Sequence, residues 1–167
     1  MSRYLCVWGQ FDIQSTNKIN KIKKKINTFL TGPYFDAHLT ISNPINDNND
    51  VDSRINKICK NNKSINIYTN GISMQDDYFQ SLYITIKKNH YLEALKKLID
   101  KEFNVKYREY FPHISLFYGN VPKVEKMKII RFLTPPKTIT LNNISLVDVN
   151  ENIEQWKIVK SFKLNNL

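Results

Sequence analysis

Apolar and polar positions along this chain fall into short blocks whose period switches between that of a strand and that of a helix. Arg3 to Phe11 is rich in aromatic and β-branched residues and predicts a first strand. Ser15 predicts a helix cap, and Ile19, Ile22, Ile26, Phe29 and Leu30 recur at helical spacing until Gly32-Pro33 stops the helix. Ala37 to Ser42 predicts a strand, Asn43 to Asp50 a polar loop, and Asp52 or Ser53 the start of a short helix through Cys59. Asn61 to Lys63 reads as a turn. Ile65 to Met74 and Phe79 to Lys87 read as strands around a Gln75-Asp76-Asp77 turn. His90 to Phe103 is helical, with Leu92, Leu95, Leu98, Ile99 and Phe103 toward the core. A strand from His113 to Tyr118 ends at Gly119, and a helix from Val124 to Phe132 follows. Thr138 to Val149 and Gln155 to Leu164 close the chain as two strands around Asn150 to Glu154. The order β-α-β-α-β-β-α-β-α-β-β predicts a single α+β domain, residues 1–167, made of two similar halves.

The chain of 167 residues is long enough to bury a core, and 41% hydrophobic with 12% aromatic residues argues against disorder. A formal charge of +10 favours an anionic partner or substrate, although abundant Lys, Asn and Ile together also fit an AT-rich coding bias. No run approaches a membrane span, and the first apolar block is too short for a signal peptide, so a monomer in a reducing cytosol, with no membrane partner, is expected. Cys6 and Cys59 form no spacing motif, and with three histidines they offer no metal site; both thiols are expected in the core. The four glycines never cluster into a phosphate loop, and no Gly-x-Ser-x-Gly elbow is present. The run Lys23-Lys24-Lys25 reads as a solvated helix face, and His90, at a helix start, as exposed and non-catalytic.

Chemistry concentrates in two segments, His38-Leu39-Thr40 and His113-Ile114-Ser115. On a strand, residues i and i+2 share a face, so each segment presents an imidazole beside a hydroxyl while Leu39 or Ile114 turns inward. Two histidines supply both a general base and a general acid near neutral pH. A cyclic phosphodiester needs those two roles, with Thr40 and Ser115 placed to hydrogen-bond phosphate oxygens. This chemistry calls for no metal and no cofactor.

At these residues the sequence resembles the 2H phosphoesterases, named for a paired His-x-Thr/Ser motif, and within them the cyclic phosphodiesterases of the plant and yeast type. Val7-Trp8-Gly9, Thr31-Gly32-Pro33-Tyr34-Phe35, Tyr78-Phe79-Gln80-Ser81, the run Phe111 to Gly119 and Trp156 follow the family's landmarks in order along nearly the whole chain. The resemblance implies a bilobal fold, with two antiparallel-rich sheets flanking a central cleft and helices outside. It implies opening of 2′,3′-cyclic nucleotides to 2′-phosphates, or of ADP-ribose 1″,2″-cyclic phosphate. It puts His38 and His113 in the catalytic positions and Thr40 and Ser115 in the phosphate-binding ones, with Tyr118 as a further phosphate contact. Tyr118 reaches that site only if the strand ends or bulges near Phe117. Trp8 and Phe79 are candidates for an aromatic wall that packs a base or ribose. The 2′-phosphate product leads to His113 as base and His38 as acid. Unlike the plant members, Cys59 has no evident disulfide partner near the C-terminus.

Two other readings use the same residues. A phosphodiesterase acting on 2′-5′ oligoadenylates or cyclic oligonucleotide signals, countering immune signalling, would use the basic surface for longer anionic substrates and oligonucleotide ends. A non-catalytic RNA-binding module would use the same charge and aromatics without turnover.

Overall fold

The computed structural model describes residues 4–47 and 50–166. The elements follow in the expected order: β1 (Tyr4–Phe11), α1 (Ile13–Asn27), β2 (Leu39–Asn46), α2 (Val51–Lys60), β3 (Ile65–Met74), β4 (Leu82–Ile86), α3 (His90–Glu102), β5 (His113–Phe117), α4 (Lys123–Ile130), β6 (Thr138–Asp148) and β7 (Lys157–Lys163). Every strand pair is antiparallel, along the path β2-β1-β6-β3-β4-β5, with β7 also on β6. The two halves of this α+β fold meet in β3. Residues Ile65 to Tyr68 pair with β6, and Thr69 to Met74 pair with β4 across a register break between Thr69 and Ile72 that contains Gly71, whose φ of +113° a residue with a Cβ adopts only under strain.

Beyond the break the arrangement curls. β2 and β5, the two ends of the path, come into contact, and α1 packs against β1, β5 and β6. The strands that follow His38 and begin at His113 are therefore brought together by the closure of the sheet path. Alternation in β1 separates its faces. Leu5, Val7 and Phe11 enter the main core, while Cys6, Trp8 and Gln10 turn to the opposite side. Thr40, Trp8, Ser145 and Ser161 stand in register across β2, β1, β6 and β7, forming one row on that second face.

Several local expectations are corrected. Asp12, not Ser15, caps α1: its carboxylate accepts from the Ser15 amide at 2.7 Å, and the Ser15 hydroxyl accepts from the Thr140 amide instead. The helix ends at Asn27, where the Thr28 hydroxyl takes the Lys25 carbonyl, and Phe29 lies exposed beyond it. β2 begins at Leu39 and runs on through Asn46, across part of the expected loop; Pro44 is tolerated because β2 is an edge strand. Within that loop, Asn48 and Asn49 lie outside the described residues, as does Arg3 of the first strand. The strand expected from Phe79 starts only at Leu82, because the Asp77 carboxylate captures the amides of Phe79 and Gln80 in a turn. Leu98 is exposed on α3, and Cys6 faces away from the main core; both cysteines are free thiols. Among the described residues no helix is long and apolar enough to cross a membrane.

Lys23 departs furthest from the expected solvated face. It is 6% exposed, and its ammonium donates to the Phe35 carbonyl while lying 3.6 Å from the centre of the Phe35 ring. Lys126 of α4 is also buried, donating to the Gln75 carbonyl at 2.6 Å with Asp76 at 3.7 Å. Each lysine thus reaches from a helix into a loop that carries residues of the second face.

Candidate active site

His38 stands one residue before β2 and His113 opens β5. Both imidazoles are held in the same way. His38 Nδ1 lies 2.7 Å from the Asp36 carbonyl, and His113 Nδ1 lies 2.9 Å from the Phe111 carbonyl. A carbonyl oxygen can only accept, so each Nδ1 carries the proton and each Nε2 keeps its lone pair. Two separate segments therefore present the same tautomer.

Their surroundings differ. His38 is buried, its ring stacked on Trp8 and edged by Phe35 at 6.0 Å. Burial pushes its pKa down to about 3; the Asp36 carbonyl opposes the shift, and the charges of Lys23 and His113 add to it. His113 is half-buried, edged by Tyr83 at 5.3 Å and Phe111 at 5.4 Å. Burial lowers its pKa too, against the Phe111 carbonyl and the Asp77 carboxylate, both of which favour the charged form. Burial thus disfavours the charged form of both histidines.

Thr40 is exposed beside Trp8, and its backbone carbonyl accepts from the Tyr110 hydroxyl at 3.2 Å. Ser115 is buried, donating to the Phe79 carbonyl at 3.3 Å. A cavity of about 210 Å³ is lined by Thr40, Gln80, Lys96, Tyr110, Phe111 and His113. Thr40 and His113, from opposite ends of the sheet path, thus face one space.

Tyr118 lies on the same side as Ser115 because β5 is irregular there. Leu82 pairs with Phe117 but Tyr83 with Ser115, so Leu116 is an extra residue. The bulge sends both Leu116 and Phe117 into the core and returns Tyr118 to the second face. The Tyr118 ring stacks on Phe35 at 3.9 Å and meets Phe79 at 5.3 Å and Trp156 at 5.9 Å. Burial pushes its pKa up to about 12, opposed by a hydrogen bond with Ser115 and assisted by Cys6. Trp156 precedes β7 rather than lying on it; its indole donates to the Asn150 carbonyl at 2.8 Å and meets Trp8 edge-on at 5.8 Å. Phe79, 51% exposed, stacks near Trp156 and is the open aromatic of this group, whereas Trp8 is buried behind His38.

Sequence reasoning missed Lys23 and Lys126. The signal for Lys23 was its place one turn after Ile19, on the flank of the apolar stripe. His90 is exposed, 3.9 Å from Glu93 and apart from this cluster. Among the described residues no group of three His, Cys, Asp or Glu side chains is placed to hold a metal ion.

Residues 10–165 match the family model described as cyclic phosphodiesterase-like protein. No curated protein matches the chain in sequence. Among solved structures, E. coli LigT complexed with 3′-AMP superposes with a TM-score of 0.68 at 10% identity, over 99% of either chain. Its apo form gives 0.67 at 11% identity over 99% of either chain. The protein TT0787 of Thermus thermophilus gives 0.61 at 11% identity over 98% of either chain. At these identities the likeness is one of fold.

Proposed function

This chain belongs to the cyclic phosphodiesterase-like family of the 2H phosphoesterases, hydrolases acting on phosphodiester bonds, and on that premise we propose that it opens a 2′,3′-cyclic nucleotide to the 2′-phosphate, or ADP-ribose 1″,2″-cyclic phosphate, between His38 and His113. The observation that carries this reading is the matched anchoring of the two imidazoles, each tied through Nδ1 to the carbonyl two residues earlier and each left with a free Nε2. One Nε2 takes a proton from water as the water oxygen bonds to phosphorus. The other, protonated, gives its proton to the ribose oxygen as the bond from phosphorus to that oxygen breaks. The Thr40 hydroxyl donates to a non-bridging oxygen, and the Ser115 hydroxyl does so by leaving the Phe79 carbonyl to which it donates at 3.3 Å, with Tyr118 behind it. Phe79 offers the open ring on which a base or ribose packs, and Trp8 backs His38.

Burial disfavours the protonated form at both histidines, opposed at His113 by the Phe111 carbonyl and Asp77 and at His38 by the Asp36 carbonyl. Burial lowers the pKa of both histidines, so the electrostatics leave the assignment drawn from the product, His113 as base and His38 as acid, as the working one. Neither role draws on a metal.

The test is a product assay in EDTA, with 2′,3′-cyclic AMP and 2′-5′ oligoadenylate offered in parallel and the phosphate position identified by chromatography. The expected result is conversion of the cyclic nucleotide alone, to 2′-AMP. Cleavage of the oligoadenylate alone moves the substrate to the oligonucleotide class. Tight binding of RNA ends without turnover of either compound overturns the catalytic reading.

A further inference from the structure

Between α1 and β2 the chain runs from Leu30 to His38 without helix or strand, so its carbonyls find no ladder partners. Two consecutive ones are instead satisfied by side chains. The Phe35 carbonyl accepts from the Lys23 ammonium, and the Asp36 carbonyl from His38 Nδ1. The ammonium also lies over the Phe35 ring, which stacks on Tyr118 and edges His38. A buried ammonium loses its water shell, and here a neutral carbonyl and an aromatic face take its place, with Asp36 as an opposing charge. An apolar side chain would fill the same space without that penalty but would leave the Phe35 carbonyl without this donor.

We propose that Lys23 is the positioning residue for His38, its ammonium fixing the Phe35-Asp36 backbone whose next carbonyl sets the tautomer and aim of the imidazole. The charged and titratable groups that bear on His38 are Lys23 from α1, His113 from β5 and the Asp36 carbonyl of its own loop; β1 contributes the neutral Trp8. Removing the Lys23 charge therefore raises the proton affinity of His38 as well as loosening its anchor. Lys126 gives a matched control, since its contacts are with Gln75 and Asp76 and not with the His38 loop.

The turnover arm of the test rests on the phosphodiesterase reading; the titration arm does not. Lys23→Met, Lys23→Arg and Lys126→Met are prepared, and the His38 side chain is titrated by NMR in each. Lys23→Met is expected to raise the His38 pKa and to lower kcat on 2′,3′-cyclic AMP by about 10- to 100-fold with little change in KM, the scale of a misplaced catalytic group. Lys23→Arg, which keeps charge and donors, is expected to recover part of the loss, and Lys126→Met to leave the His38 titration unmoved. If Lys23→Met fails to fold, the wild-type protein still decides. Burial brings the Lys23 pKa down to about 8, so the His38 resonance should carry a second inflection there. An unmoved His38 titration in Lys23→Met, or a wild-type His38 resonance that does not respond at the pH where the Lys23 resonance itself titrates, overturns the proposal. A protein that turns over no cyclic phosphate yet shows the coupled titration loses the functional reading and keeps this one.

Discussion

The indole of Trp8 lies face to face with the imidazole of His38, ring centres 3.6 Å apart and planes 7° apart. Trp8 rises from β1 opposite Thr40 in the strand register, so one strand pair supplies both the platform under the imidazole and the hydroxyl beside it. With Nδ1 tied to Asp36 and one face covered, the ring is held in a single orientation. Trp8→Ala should cost about 3–5 kcal/mol of stability, the range for deleting a buried tryptophan. Trp8→Phe, which keeps a stacking ring, should retain most of both stability and turnover. Urea denaturation and steady-state rates on 2′,3′-cyclic AMP decide it; equal turnover in the two variants would remove the stack from the catalytic account.

On the proposed mechanism the two histidines are partners in one proton circuit. His38→Gln and His113→Gln should each lower kcat by at least ~10²-fold, the lower bound for losing a general acid or base. The double variant should be little worse than the poorer single one, because groups that act as a unit do not add. A double variant whose loss equals the product of the two single losses would show the imidazoles acting independently.

Most of the fold is legible because its elements alternate between periods 2 and 3.6 with clear punctuation, and all eleven helices and strands stand in the expected order. What is not legible depends on tertiary partners. Asn43 to Asn46 look like a loop until β2 proves to be an edge strand, where Pro44 sacrifices no ladder bond. Lys23 looks solvated until the Phe35 carbonyl and ring meet it across a loop that no local pattern places. The two His-x-Thr/Ser segments are visible in sequence, and the turning of Tyr118 toward Ser115 is foreseeable only as a condition on a bulge, which the pairing of Tyr83 with Ser115 fulfils. Asp77, which the sequence pattern places only in a turn, bears electrostatically on His113, a link that no spacing between the two residues announces.

Gly32 reads in sequence as a helix stop, but its surroundings give it a second role. A Cβ built there would meet the Phe117 ring at 2.5 Å and the Tyr118 carbonyl at 2.9 Å. The loop leading to His38 therefore passes against the end of β5, and only a residue without a side chain allows it. Gly32→Ala should cost about 1–3 kcal/mol, the usual penalty for overpacking. It should also lower turnover by displacing Tyr118 and the bulge that presents it. A variant with wild-type stability and rate would mean that Phe117 yields freely and that the close approach is incidental.

Burial of neutral His38 ties stability to pH with a definite sign. Its pKa falls from 6.5 to about 3 in the folded protein, so the unfolded chain binds that proton more readily than the native state. The contribution of His38 is fully present above the unfolded value and is lost as pH falls from there toward the folded one. In the middle of that window each pH unit removes up to about 1.4 kcal/mol, the free energy of one proton per unit. His113, also shifted downward, adds loss of the same sign. His38→Gln retains a polar side chain that does not titrate, and carboxylates common to both proteins cancel in the comparison. Urea unfolding at pH 7, 5.5 and 4 should therefore show wild-type stability falling more steeply than that of the variant, by close to one proton's worth per unit. Parallel slopes would place His38 in contact with solvent, free to protonate without unfolding.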